Sequence, residues 1–204
     1  MNELSVLFEN YPELAYLKNE ICLSIDILVN CFKNGGKLLV CGNGGSAADS
    51  EHIVGELMKG FILKREVTDL NIPVELAENL QGALPAIALT GAISLSTAFA
   101  NDVNPDFIFA QQVYGLGNPG DVFMGISTSG NAKNINCATQ VAKAKGLKTI
   151  ALTGVKDSAL SRICDVTIKV PSNQTYRIQE YHLPVYHAIC AIVESKFFAE
   201  ICSD

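Results

Sequence analysis

The stretch that decides the fold is Lys37-Leu38-Leu39-Val40-Cys41, which is followed directly by Gly42-Asn43-Gly44-Gly45-Ser46. The apolar run predicts a buried strand, and the glycine-rich run after it predicts a tight loop. A helical pattern then continues to about Lys59. The order strand, loop, helix is the repeating unit of α/β proteins.

The same unit recurs further along the chain. Apolar strands are predicted at Leu84–Leu89, Asp121–Ile126, Lys148–Leu152 and Asp165–Val170, with helical stretches between them. Crossover helices cover both faces of such a parallel sheet. We therefore expect an α/β fold, a three-layer αβα sandwich with a five-stranded parallel sheet. No repeat or low-complexity tract marks a boundary, so residues 1–204 are expected to form a single domain.

Long helices are predicted at both ends of the chain. Apolar residues three and four apart predict one over Leu14–Phe32, and another runs from Thr175 to about Ile201, where Pro184 is expected to bend it. Both are apolar over much of their circumference, which favours self-association unless these faces only cover the sheet. The polar excursion at residues 61–81 is expected to hold a short helix around Val74–Leu80.

Composition excludes several classes of protein. The 204 residues include 15 basic and 21 acidic ones, and the net charge of -6 argues against a nucleic acid partner. No apolar run approaches the roughly 20 residues that span a membrane, and the start lacks the basic region of a secretory signal. The seven cysteines are odd in number and well separated, which predicts a reducing, cytoplasmic location.

Two loops have the character of phosphate sites. Gly42–Ser46 opens a helix, where free amides and the helix dipole favour an anion. Ser127-Thr128-Ser129-Gly130-Asn131 follows the third strand, and as an alternative its hydroxyls could simply cap the next helix. In one of the two common strand orders of such sheets, the first and third strands flank the point where the order reverses, and both loops would then face one crevice. Lys133 is the only basic residue close to them in sequence.

The spacing of Gly42, Gly44 and Ala47 also matches a dinucleotide-binding fingerprint. That reading requires an acidic residue about 20 positions later, at the end of the second strand. Here the second strand comes more than 40 residues later and ends in Leu89-Thr90. A nicotinamide cofactor is therefore not expected.

The three histidines fall in two helical segments. His52 and Glu56 are four residues apart, so their side chains leave one helix face and could chelate a metal or share a proton. The alternative is an exposed i,i+4 ion pair of little consequence. His182 and His187 lie in the last helix.

Four blocks of sequence, in this order, resemble the sugar isomerase (SIS) superfamily and, within it, the phosphoheptose isomerases. The blocks are G-N-G-G-S-A-A-D (Gly42–Asp49) with His52 and Glu56, A-N-D (Ala100–Asp102), G-D-V-F-M-G-I-S-T-S-G-N (Gly120–Asn131), and R-I-Q-E-Y-H (Arg177–His182) followed by His187. The resemblance implies the SIS fold with a flavodoxin-like strand order. It also implies an aldose-ketose isomerase that interconverts sedoheptulose 7-phosphate and D-glycero-D-manno-heptose 7-phosphate.

The resemblance further implies roles for individual residues and a homotetramer with sites at subunit interfaces. Zinc is the implied cofactor, and Glu56 and His187 are the implied proton-transfer pair. The implied metal ligands are His52, Glu56, Gln179 and His187. The implied phosphosugar contacts are Asn43, Gly44, Gly45, Ser46, Glu56, Asn101, Asp102, Ser127, Thr128, Ser129 and Gln179.

The chemistry of these groups suits an isomerase. Moving a carbonyl between adjacent carbons needs a base, a proton shuttle and a group that stabilises the enediolate. A carboxylate, an imidazole and a metal can fill those roles. Gln179 and His187, however, are separated by about 12 Å on one straight helix. We therefore expect either that a neighbouring subunit supplies one of them or that Pro184 distorts the helix.

Two alternatives stay open at this point. One is a non-catalytic SIS adaptor similar to the protein that associates with the bacterial replication initiator, although His52, Glu56 and His187 together favour an enzyme. The other is a SIS isomerase for a different phosphosugar. Ala132 stands where the family often has a serine, and the excursion at 61–81 is longer than in compact members.

Overall fold

The computed structural model describes residues 3–67 and 71–199. Its sheet has five parallel strands in the order β2-β1-β3-β4-β5, which confirms the predicted α/β class and flavodoxin-like order. The strands are β1 (Leu38–Gly42), β2 (Ala86–Ala88), β3 (Val122–Ile126), β4 (Lys148–Gly154) and β5 (Val166–Val170). The reversal of order between β1 and β3 places the loops after these strands side by side.

Helices cover both faces of the sheet. They are α1 (Glu3–Asn10), α2 (Lys18–Lys33), α3 (Gly45–Met58), α4 (Val74–Ala77), α5 (Ile93–Asp102), α6 (Ile108–Leu116), α7 (Lys133–Ala144), α8 (Ala159–Ile163) and α9 (Thr175–Phe198). Alternate strand residues point to opposite faces. Val40 and Met124 pack in one core with α1, α2, α3 and α9, whereas Leu39 and Phe123 pack in the other with α6, α7 and α8.

The ends of the chain differ from prediction in detail. The helix predicted over Leu14–Phe32 is two elements, a 3₁₀ helix at Pro12–Leu17 and then α2. Pro12 stands in the first turn, where the amide of Leu14 donates to the carbonyl of Tyr11, three residues back, at 2.9 Å. The last helix ends at Phe198, and the predicted end near Ile201 lies outside the described residues.

The excursion contains less helix than predicted. α4 covers Val74–Ala77 rather than Val74–Leu80, and none of its residues is buried. The preceding residues 68–70 lie outside the described part. The strand after the excursion is shorter than predicted, and β2 begins at Ala86, directly after Pro85, which has no amide to donate. Among the described residues, no helix is long and apolar enough to cross a membrane.

Candidate active site

The two predicted loops lie together at the carboxyl ends of β1 and β3. The side-chain amides of Asn43 and Asn134 donate to each other's oxygens, each at 2.9 Å. This pair joins the loop after β1 to the start of α7. The Asn43 side chain therefore bridges two elements of the protein.

Local backbone geometry requires two of the glycines in the first loop. Gly44 has a φ of +58°, in the region that favours glycine, and it directly precedes α3. At Gly42 a Cβ atom would overlap the backbone of Ser46. The chain thus turns sharply from β1 into α3, which places the helix N-terminus and its dipole at the carboxyl end of β1.

The second loop forms a compact turn. The Ser129 hydroxyl accepts the Asn131 amide at 3.1 Å, and the Thr128 carbonyl accepts the Gly154 amide at 3.0 Å. Thr128 and Ser129 line a cleft of about 310 Å³. The loop therefore presents hydroxyl groups to a space that can hold a small polar ligand.

The basic residue beside this cleft is not the one that sequence proximity suggests. Lys133 is engaged by Asp106, with 2.7 Å between Nζ and Oδ2, and this hydrogen bond raises the pKa of Lys133. Lys156 instead lines the cleft with Thr128 and Ser129. Lys156 follows β4 and could be placed here only once the order of the strands was known.

His52, Glu56 and His187 come together although α3 and α9 are far apart in sequence. His52 Nε2 lies 3.0 Å from Glu56 Oε1 and 3.3 Å from His187 Nε2. The side chain of Glu56 is 11% exposed and that of His52 40%. Burial lowers the pKa of His187, His52 lowers it further, and Glu56 opposes the shift. A neutral imidazole beside a carboxylate can exchange protons with a substrate near neutral pH.

Tyr186 and Asp49 form a second layer around His52. The buried Tyr186 hydroxyl lies 3.0 Å from His52 Nδ1 and 3.3 Å from Asp49 Oδ1. Burial and the nearby Asp49 raise the pKa of Tyr186, so the phenol keeps its proton. If that proton is donated to Asp49, His52 Nδ1 donates to the phenol and its Nε2 lone pair faces Glu56. The bare His52 Nε2 can then accept a hydrogen bond from His187 Nε2 or bind a cation.

Gln179 lies apart from this cluster within one chain. Its side-chain amide packs on Gly45, where an added Cβ would come within 2.5 Å of Nε2. Gly45 is seven residues before His52, about two helical turns or 10 Å along α3. One chain therefore brings His52, Glu56 and His187 near one another and leaves Gln179 apart, in keeping with the expected wide separation of Gln179 and His187.

The other implied substrate contacts lie at the end of α5. Asn101 Nδ2 donates to Asp102 Oδ1 at 2.8 Å, and both residues are exposed. The nearby Asp106 reaches Lys133 at the start of α7, which ties this region to the second loop. No contact in the described structure joins Asn101 or Asp102 to His52, Glu56 or His187.

His182 is separate from the site. It is fully buried, and neither ring nitrogen has a hydrogen-bond partner among the described residues. Burial lowers the pKa of His182 to about 4, and the nearby Thr153 backbone, which does not reach hydrogen-bond geometry with the ring, opposes this only in part. We interpret His182 as a neutral core residue.

Comparisons with known proteins place the chain in a family. One SIS-domain model matches residues 81–194 and a second matches residues 13–75. A phosphoheptose isomerase of Aneurinibacillus thermoaerophilus is 42% identical over 83% of this chain and 78% of that protein. One of Akkermansia muciniphila is 36% identical over 97% of this chain and 96% of that protein. The chain belongs to the SIS-domain phosphoheptose isomerase family.

A solved structure extends this similarity to three dimensions. The phosphoheptose isomerase of Neisseria gonorrhoeae superposes with a TM-score of 0.77 at 34% identity, with 94% of each chain covered. The sequence-based recognition of the family is thereby confirmed, and so is the prediction that the protein is an isomerase rather than a non-catalytic adaptor.

The donor chemistry of the phosphoheptose isomerase cluster fits zinc. Imidazole nitrogen and carboxylate oxygen are donors that zinc accepts, and His52 Nε2 lies within 3.3 Å of both Glu56 Oε1 and His187 Nε2. Glu56 Oε2 is buried without a hydrogen bond, and Lys59 Nζ lies 3.5 Å from it. Even so, no three or more His, Cys, Asp or Glu side chains in the described ranges are arranged to hold a metal ion as they stand. The residue types fit zinc, whereas one copy of the chain does not bring a full set of ligands together.

Several residues of the site were missed by sequence reasoning. Asp49 lies within the quoted glycine-rich block and Tyr186 directly precedes His187, but neither had been given a role. Lys59 follows Glu56 by three residues, at the C-terminal end of α3, and its Nζ lies 3.5 Å from Glu56 Oε2. An i,i+3 pattern could have identified Lys59, whereas the contacts of Tyr186 depend on how α9 packs against α3.

Proposed function

We propose that the protein converts sedoheptulose 7-phosphate to D-glycero-D-manno-heptose 7-phosphate through an enediol. The observation that supports this most is the meeting of His52, Glu56 and His187 two to three turns beyond a phosphate-type loop on the same helix. Phosphate and carbonyl lie at opposite ends of the open-chain substrate, as the loop and the cluster lie at opposite ends of α3.

The proposed proton transfers use the two groups that the cluster presents. Glu56 removes a proton from C1 of the ketose while His187 delivers one to the oxygen on C2, which gives the enediol. His187 then takes the O1 proton as Glu56 returns a proton to C2, so the aldose forms and both groups regain their starting protonation. The position of Glu56 supports this role, because its side chain is only 11% exposed and Oε1 lies 3.0 Å from His52 Nε2.

We propose zinc as the cofactor, held by His52, Glu56 and His187 with Gln179 as a fourth ligand. When bound, zinc supplies Lewis acid character that polarises the substrate carbonyl. The Asp49–Tyr186 pair supports this assignment because it can orient His52 with a bare Nε2.

We also propose a homotetramer in the cytoplasm, with Gln179 reaching the cluster of a neighbouring copy. Exposed apolar side chains near the terminal helices, Tyr16 at 57% and Leu23 at 53%, support self-association. Mixed assemblies of Glu56→Gln and Gln179→Ala chains test the shared site. Activity regained on mixing supports it, and mixtures as inactive as the parents contradict it.

A coupled isomerase assay over a panel of ketose phosphates, with and without added zinc, tests the proposed function. We expect turnover of sedoheptulose 7-phosphate well above that of pentose and hexose phosphates, and a loss of turnover after chelation. A preference for another phosphosugar would leave the proposed reaction type standing and overturn the proposed substrate. Ala132 and the 61–81 excursion are the features that keep such a substrate open. No turnover of any phosphosugar would overturn the proposal.

A further inference from the structure

A buried ion pair joins the two helices that carry the proton-transfer groups. Arg65 Nε donates to Glu194 Oε1 at 2.7 Å, and both side chains are 0% exposed. Glu194 lies on α9, two turns after His187 and therefore on the same side of that helix. Arg65 follows α3, the helix that carries His52 and Glu56.

The guanidinium of Arg65 closes the end of α3. Nη2 donates to the carbonyl of Glu56 at 2.8 Å and Nη1 to that of Leu57 at 2.6 Å. The last carbonyls of a helix lack partners within the helix, and positive charge there is favourable. The backbone of Glu56 is thus fixed by a residue nine positions later in the chain.

The carboxylate of Glu194 holds the segment between the end of α3 and Arg65. It accepts the amides of Phe61 at 2.8 Å, Ile62 at 2.8 Å and Leu63 at 3.1 Å. Although burial alone would raise the pKa of Glu194, these amides and Arg65 lower it. The same segment places the Phe61 ring 5.4 Å from the ring of His187. Arg65 and Glu194 therefore contact the surroundings of both Glu56 and His187.

A buried ion pair of this kind is poor evidence of stability, because the cost of desolvating two charges often cancels their attraction. Its value lies in geometry, since the planar guanidinium can reach a carboxylate and two carbonyls at once. A lysine would keep the positive charge but could not donate to these three acceptors from one planar group. Placement matters because a misplacement of about 1 Å can cost on the order of 100-fold in rate.

We propose that Arg65 and Glu194 are positioning residues, a clamp that holds the end of α3 against α9 so that the Glu56 carboxylate and the His187 imidazole face the same substrate carbons. Neither residue touches the substrate. The rate effect rests on the proposed function, whereas the effect on geometry does not.

The test compares Arg65→Lys and Glu194→Gln with a matched control, Asp121→Asn. Asp121 is also a buried carboxylate that accepts backbone amides and a cation, Lys37 at 2.6 Å, but it lies at the opposite end of the sheet. All three variants are expected to lower the midpoint of thermal unfolding. At a temperature where each is fully folded, both clamp variants should lose about tenfold or more in kcat with KM within about threefold. Asp121→Asn should keep kcat within about twofold of the wild type.

A second readout does not depend on turnover. The chain has only three histidines, so ring ¹H–¹⁵N spectra resolve each imidazole. In the clamp variants the His52 and His187 signals should shift and that of His182 should not, while Asp121→Asn leaves all three in place. Equal kcat in clamp and control variants, or unshifted His52 and His187 signals in folded clamp variants, would overturn the proposal. If the wild type lacks isomerase activity but the clamp variants still shift the His52 and His187 signals, the proposed function is overturned and the clamp proposal stands.

Discussion

Replacing His182 by leucine tests whether this histidine is a neutral core residue. Its pKa is lowered by burial to about 4, against about 6.5 in an unfolded chain. Between these values only the unfolded state binds the proton, so the wild type loses stability as the pH falls. Linkage between pH 7 and pH 5 gives about 2 kcal/mol for this one group. Most of the loss lies below pH 6.5.

Urea unfolding of wild type and His182→Leu at pH 7, 6 and 5, at one protein concentration, measures this effect. At pH 7 the variant should be at least as stable, because leucine leaves no unpaired nitrogen in the core. At pH 5 the difference in unfolding free energy should have moved by about 2 kcal/mol in favour of the variant. Parallel pH dependences of the two proteins would refute the assignment, and would show that His182 is hydrogen-bonded or hydrated when folded.

Glu56→Gln should abolish turnover and leave the unfolding midpoint nearly unchanged, since it keeps the side-chain volume; measurable kcat in a folded variant would remove Glu56 from the proton transfer. Ser129→Ala should raise KM for the phosphosugar several-fold with a smaller change in kcat, because it removes a hydroxyl from the cleft, and an unaltered KM would argue against this loop as the phosphate anchor. Tyr186→Phe should weaken zinc binding about 10- to 100-fold, as expected for loss of an outer partner of a metal-binding histidine; calorimetry on the metal-free protein measures it, and unchanged affinity would contradict the proposed orientation of His52.

The strands were predictable because each is short, apolar and followed by a turn, whereas their order was implied by the resemblance to the SIS superfamily. Leu39 and Val40 pack in different cores because successive side chains of a strand point to opposite faces of the sheet. What the pattern did not reveal was the break at Lys18, where local i,i+3 bonds after Pro12 replace the expected continuous helix. Apolar spacing cannot separate the two, because Leu14 is buried in either case.

The site was predictable where chemistry lies close together in sequence. His52 and Glu56 share a helix face, and the two loops follow neighbouring strands. The position of Gln179 beside Gly45, the reach of Tyr186 to His52 and the burial of Arg65 all depend on how α9 packs on α3. Such contacts between distant segments leave no periodic signal in the chain.

A crystal structure of the Glu56→Gln variant with sedoheptulose 7-phosphate tests the central claim most directly. The account predicts the phosphate at the start of α3, within hydrogen-bond distance of the Gly44–Ser46 amides and the hydroxyls of Ser127–Ser129, with C1 and C2 beside position 56 and His187. A phosphate bound away from both loops, or a carbonyl end turned away from His187, would contradict it.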